Sequence, residues 1–237
     1  MTMDISKILF LDIETVPQYQ SFDDAPEEHQ KLWGDKARTI SRDDEVVPES
    51  VYERAGIYAE FGRIVCISVG FINPRGTIRE LRVKSFYWDD EKALLTEFAD
   101  VLRKHFNGAD NLLCGHNGKE FDFPYIARRM IINQIKVPRI LDLTGKKPWE
   151  VAHLDTMQMW KFGDYKNFTS LKLLAHVFGI PSPKDDIDGS QVGSVYWEEK
   201  NLERIVKYCE KDVVTLVQVY LSLIQEPKLS AAELSVE

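Results

Sequence analysis

Asp12 and Glu14 put two carboxylates, one residue apart, at the end of the apolar run Lys7-Ile8-Leu9-Phe10-Leu11-Asp12-Ile13-Glu14-Thr15. Side chains alternate along a strand, so both project from one side, and a run this apolar reads as a strand buried on both faces. Like charges at a core edge raise each other's pKa unless something neutralises them; hard Mg²⁺ or Mn²⁺ does so through carboxylate oxygen. For so short a motif, a solvated acidic turn is the competing reading. Asp122, just before Phe123-Pro124-Tyr125 and a helical pattern, is either an N-cap or a third carboxylate aimed at the same metal. Asn117, five residues earlier, can orient backbone or a substrate group. Tyr208 and Asp212 stand four apart in the last helical pattern, so they share a face and can act on one site; the bland alternative is a core tyrosine. Glu210 and Lys211 lie on other faces and are expected in solvent.

The elements that must carry these groups follow from periodicity. Residues 63–72 are rich in β-branched side chains, residues 73–76 (Asn-Pro-Arg-Gly) are a turn, and 77–88 supply the answering strand of a hairpin. From Asp89 the apolar spacing changes to three and four, giving an amphipathic helix that stops at Asn107-Gly108. A short apolar strand at 111–116, a helix from Phe121 to about Gln134, a strand-to-helix turn at 153–160, a helix at 169–178 and a long helix from about 202 to 225 complete the pattern. This order predicts an α/β fold: one domain over residues 1–225, a mixed sheet flanked by helices, with an acidic helical insertion at about 17–60 and a loose tail at 226–237.

Composition bounds the function. At 237 residues, 44% apolar and 29% charged, the chain is an ordinary globular protein. It has neither a membrane span nor the layout of a secretion signal, which points to the cytoplasm and no membrane partner. Cys66, Cys114 and Cys209 are odd in number and far apart, so buried thiols are expected rather than disulfides or a zinc site. A net charge of -8 argues against a polyanion partner, yet residues 119–176 hold ten basic against six acidic side chains, whereas 17–61 hold eleven acidic against five basic.

Taken together, Asp12-x-Glu14, Asn117-x-x-x-Phe121-Asp122 and Tyr208-x-x-x-Asp212 resemble, in order and spacing, the three motifs of the DEDD (DnaQ-like) 3′-5′ exonucleases. A Tyr four residues before the last Asp is similar to the DEDDy branch. The residues around the motifs look most like the stand-alone predicted exonucleases related to the proofreading domain of family B DNA polymerases. The resemblance implies a ribonuclease H-like fold and two Mg²⁺ or Mn²⁺ ions held by Asp12, Glu14, Asp122 and Asp212. It also implies that Tyr208 orients a water, with Thr15, Asn117 and Phe121 touching substrate. The implied reaction removes nucleoside 5′-monophosphates from the 3′ end of single-stranded nucleic acid, DNA favoured, with a polymerase or repair partner in trans.

Three other functions compete. An exoribonuclease needs contacts to the 2′-OH that no residue declares. A catalytically silent nucleic-acid-binding scaffold is disfavoured by the complete set of acids. A haloacid dehalogenase-like phosphatase also ends its first strand in an acid pair, but Lys184-Asp185-Asp186 matches its later motifs poorly. Asp155 is either a helix cap or a group that supports the metal site. Lys161, Lys166, Lys172, Arg128 and Arg129 are candidates for phosphate contacts; Phe121, Phe123, Tyr165 and Phe168 are candidates for stacking on bases. His116 and His153 lack a second His at ligand spacing, so structural roles are expected.

Overall fold

The alternation of β1 (Ile8–Pro17) decides where its charges point. Leu9, Leu11 and Ile13 pack on one face against Leu94, Leu95 and Phe98 of α2 (Glu91–His105) and Phe123 and Ile126 of α3 (Asp122–Ile132). Ile8 and Phe10 pack on the other against Val213, Leu216 and Val217 of α7 (Leu202–Leu223). Asp12 and Glu14 continue that second row, so they face α7. In this computed structural model, which describes every residue except 1–3, 43–44, 76–77, 182–185 and 237, β1 lies inside a six-stranded mixed sheet.

The strand order is β5-β4-β1-β2-β3-β6, with β2 at Gly62–Arg75, β3 at Ile78–Phe86, β4 at Leu112–Gly115, β5 at Leu154–Asp155 and β6 at Leu234–Val236. β1, β2 and β3 are antiparallel neighbours; β4 runs parallel to β1, and β6 runs parallel to β3. The pairing of β1 with β2 slips by one residue between Glu14, opposite Cys66, and Thr15, opposite Ile64. Such a bulge bends the strand where it leaves the acid pair. The expected hairpin is present, but its strands run on through Asn73 to Arg75; Gly76, assigned to the turn, lies outside the described residues. No described helix is long and apolar enough to cross a membrane.

The insertion is helical, as its scattered apolar residues suggest. α1 (Glu27–Ser41) and a 3₁₀ run at Pro48–Ile57 close around Trp33, whose Nε1 donates to the Pro48 carbonyl at 3.0 Å and whose ring meets Tyr52 and Phe61 edge-on. The insertion is fastened to α3: the Tyr125 hydroxyl donates to the Gly56 carbonyl at 2.7 Å and Arg129 Nη1 to the Ala59 carbonyl at 2.8 Å. Arg129 is also ion-paired with buried Glu91 at 2.5 Å. This corrects its assignment to phosphate binding, because a buried arginine already committed to a carboxylate and a carbonyl has no free fork to offer.

Two further differences have plain causes. The tail expected to be loose is tied down: Leu229 is buried, its N–H and carbonyl both bond the Gln218 side chain at 2.9 Å, and β6 extends the sheet beside β3. The edge of β3 and the apolar face of α7 together hold it, and neither is visible in the tail's own polar sequence. The segment after Asp188 contains a short helix, α6 (Val192–Trp197), that periodicity over so few residues does not reveal. Two more helices, α4 (Thr156–Lys161) and α5 (Leu171–Val177), occupy the positions expected for them.

α7 approaches the sheet tightly at Gly70, where a Cβ would sit 2.9 Å from Val213 Cγ1 and 3.2 Å from Leu81 Cδ1. Val213 is the neighbour of Asp212. Gly70→Ala is therefore expected to push α7 outward, lowering stability by about 1–3 kcal/mol on denaturant unfolding and weakening any activity that depends on Asp212.

Candidate active site

Three elements meet at one place. β1 contributes Asp12 and Glu14 from the row facing α7; α7 contributes Tyr208 and Asp212, one turn apart on the face turned to β1. α3 begins where β4, parallel to β1, has ended, and its first residue is Asp122. The N-cap reading of Asp122 is thereby corrected: Phe121 holds the cap position, without a side-chain cap bond, and Asp122 is buried. Its carboxylate is turned to β1, where the Ile13 backbone N–H faces it.

Asp155 caps one helix and braces a neighbouring turn. As N-cap of α4 it accepts from Met157 N–H at 3.0 Å and Gln158 N–H at 3.3 Å. It also accepts from Asn117 N–H at 3.0 Å and Lys119 N–H at 3.1 Å, pinning the turn that leads from β4 into Asp122. Asn117 has a φ of 64°, the left-handed region that asparagine tolerates better than most residues. Its backbone role is thus visible. Thr15 and Phe121 line, with Glu14, a cleft of about 700 Å³ whose other wall is the insertion and α6; Asn117 does not line it. A smaller hollow of about 250 Å³ opens on Tyr208 and Asp212 from the side of α5.

The electrostatics of the site are unfavourable, because its acids are buried beside one another. Burial pushes the Asp12 carboxyl well above the usual range, and the charges of Asp122 and Asp212 push it further. Glu14 is raised by burial and then by Asp12 and Asp212. Asp122 is pushed up to about 7, chiefly by burial, while nearby backbone N–H groups pull the other way. The charged forms of Asp12 and Glu14 are thus disfavoured both by burial and by the neighbouring acids. Ligand atoms of Asp12, Glu14 and Cys209 lie within 4.8 Å of one another. The Asp12 and Glu14 carboxylates are hard oxygen donors, so this pair fits a divalent metal such as Mg²⁺ or Mn²⁺.

Cys209 escaped the reading of the sequence. Its thiol donates to both the backbone oxygen and Oδ2 of Asp12 at 3.5 Å, and Cys66 lies beside it. The three thiols are buried and unpaired, as expected. The signal was its position one turn before Val213 on the buried stripe of α7. Glu210, expected in solvent, is half-buried: it accepts from Ser85 Oγ at 2.8 Å, which in turn meets Ser68 Oγ at 2.8 Å.

A family described as "Predicted 3'-5' exonuclease related to the exonuclease domain of PolB" matches residues 57–234. The chain belongs to this family. Asp122, Tyr208 and Asp212 fall inside the match to these predicted exonucleases; Asp12 and Glu14 precede it and reach the site through the pairing of β1 with β2 and β4. Among solved structures, the family B DNA polymerase from the hyperthermophilic archaeon Pyrobaculum calidifontis superposes with a TM-score of 0.51 at 17% identity, over 93% of this chain. The chain spans 26% of that polymerase. The likeness bears out the fold: a mixed sheet flanked by helices in one domain, resembling a polymerase exonuclease domain of the ribonuclease H-like class. Membership favours the nuclease over the phosphatase reading, whose Lys184 and Asp185 lie outside the described residues.

Other sequence candidates sort by burial. Phe123 is fully buried and cannot stack on a base, whereas Tyr165 and Phe168 are exposed. His153 is a structural residue, accepting from Leu113 N–H at 3.2 Å and donating to the Ile140 carbonyl at 2.7 Å. His116 is likewise engaged, with Thr156 and the Thr169 carbonyl, both at 2.9 Å.

Proposed function

We propose that the protein is a metal-dependent 3′-5′ exonuclease that releases nucleoside 5′-monophosphates from the 3′ end of single-stranded nucleic acid, with DNA favoured. The observation that supports it most is the clustering of Asp12 and Glu14 of β1, Asp122 of α3 and Asp212 of α7, with Glu14 lining the larger cleft and Asp212 the smaller hollow. When bound, divalent metal supplies positive charge that a phosphodiester needs and lowers the pKa of nearby water. The four carboxylates would hold that charge where Glu14 borders the larger cleft and Asp212 the smaller hollow. Thr15 and Phe121 flank the terminal nucleotide there, and the insertion closes the far wall.

Tyr208 serves as a positioning group. Its hydroxyl bonds the Asp212 carboxylate, and burial followed by the charges of Asp212 and Glu14 raises its pKa far above the ordinary phenol value. Even an ordinary phenol, with a pKa of about 10, keeps its proton at neutral pH, so Tyr208 orients water and does not act as a base. Tyr208→Phe is expected to lower kcat by roughly tenfold to a hundredfold with little change in KM, and to leave the pH profile in place.

The deciding experiment follows a 5′-labelled strand of DNA, and one of RNA, with Mg²⁺ or Mn²⁺ and with chelator. A ladder that shortens from the 3′ end only with metal supports the proposal. Intact strands under every metal condition would falsify it.

A further inference from the structure

The segment 161–168, between α4 and α5, is anchored at both ends to the candidate site and exposed in the middle. α4 starts at Asp155, the residue that pins the turn before Asp122. After the segment, the Thr169 carbonyl accepts from His116 Nε2 at 2.9 Å, and Ser170, Leu171 and Lys172 line the hollow that opens on Tyr208 and Asp212. Between these anchors Phe162, Tyr165 and Phe168 are 87%, 91% and 67% exposed. The segment thus puts three aromatic rings in water within seven residues, apolar surface that a binding partner would cover.

The segment is also built, not merely loose. Phe162 closes α4 with a φ of 44°, a left-handed conformation uncommon for a bulky residue, and Gly163 follows at 89°. Asp164 N–H bonds the Lys161 carbonyl at 2.7 Å, and Asp164 Oδ1 accepts from Lys166 N–H at 3.0 Å. The Lys161 ammonium lies over the Phe168 ring, 3.9 Å from its centre. Lys161, Lys166 and Lys172 outnumber the one acid, Asp164, in a protein of net charge -8.

We propose that residues 161–168 are the landing surface for the nucleotides upstream of the terminal one, stacking bases on Phe162, Tyr165 and Phe168 and pairing phosphates with Lys161 and Lys166. This rests on the exonuclease reading of the adjacent site. Planar rings interleaved with ammonium groups suit single-stranded nucleic acid, whose bases have free faces; in a duplex those faces are hidden in the stack. Stacking is indifferent to the sugar, so the surface serves DNA and RNA alike.

The test compares wild type with the double variant Tyr165→Ala/Phe168→Ala, with Phe162→Gly, which suits the positive φ, and with Tyr165→Phe. Anisotropy of a fluorescein-labelled oligothymidylate and oligouridylate of about twenty nucleotides is read in EDTA, where nothing turns over, and KM is read with Mn²⁺; loss of stacking is expected to weaken both roughly tenfold or more. Hydrolysis of the p-nitrophenyl ester of thymidine 5′-monophosphate, too small to reach the segment, stays at the wild-type rate, and Tyr165→Phe retains wild-type affinity. Unchanged oligonucleotide affinity in the double variant overturns the proposal. So does binding to phosphatidylserine vesicles that the variant loses while keeping its oligonucleotide affinity. If the wild type cleaves neither substrate, the exonuclease reading fails by itself, and the EDTA binding still decides the landing surface.

Discussion

Asp12→Asn is expected to lower metal-dependent degradation of a 5′-labelled single strand by roughly 10³-fold or more, since it removes charge from the centre of the carboxylate cluster. After burial, Asp12 is raised first by Asp122 of α3 and then by Asp212 of α7, whereas Glu14 feels Asp122 least of its neighbours, so Asp12 links the two sides of the cluster. Asparagine retains an oxygen able to accept from the Cys209 thiol, which now bonds Oδ2 and the backbone oxygen of Asp12. The fold is therefore expected to persist, and loss of activity reads function. Chelation of the wild type should produce the same loss, and added Mn²⁺ should rescue the wild type but not the variant. Residual activity within tenfold of wild type would sink the proposed role.

Asp122→Asn should stabilise the metal-free protein while abolishing its activity. The Asp122 carboxyl is pushed from 3.8 up to about 7. A carboxyl raised in the folded state contributes stability while it is protonated. That contribution is complete below the unfolded value near 3.8 and is lost as pH rises to about 7. At pH 8 the ionised group then costs the fold roughly 4 kcal/mol, which the neutral amide avoids. The melting temperature of metal-free Asp122→Asn at pH 8 should exceed that of wild type by several degrees. Below about pH 4 the two should converge. Mg²⁺ or Mn²⁺ should raise the wild-type melting temperature at pH 8 and leave the variant nearly unmoved. A variant less stable than wild type in EDTA at pH 8 would show that burial is not the source of the raised carboxyl.

How legible the site was depended on how local its causes are. Asp12 and Glu14 were readable because strand alternation is set by the backbone, and two charges closing an apolar run are costly wherever the run packs. Tyr208 and Asp212 were readable because one helical turn fixes a shared face. Asp122 was ambiguous: a capping residue and a ligand look alike before a helix, and only the placement of β4 beside β1 separates them. Cys209 was readable as a buried thiol but not as a partner of Asp12, which stands 197 residues away.

The sequence by itself determined the strand and helix periods, the class of sheet and the carboxylates able to hold metal, because each follows from side-chain spacing within one element. Tertiary structure alone decided that Arg129 is a strut fastening the insertion and not a phosphate ligand, that the last residues lock onto β3 and α7, and that the acidic insertion forms a wall of the cleft beside Glu14. These outcomes depend on which surfaces meet, and burial, unlike periodicity, is a property of the partner as much as of the residue.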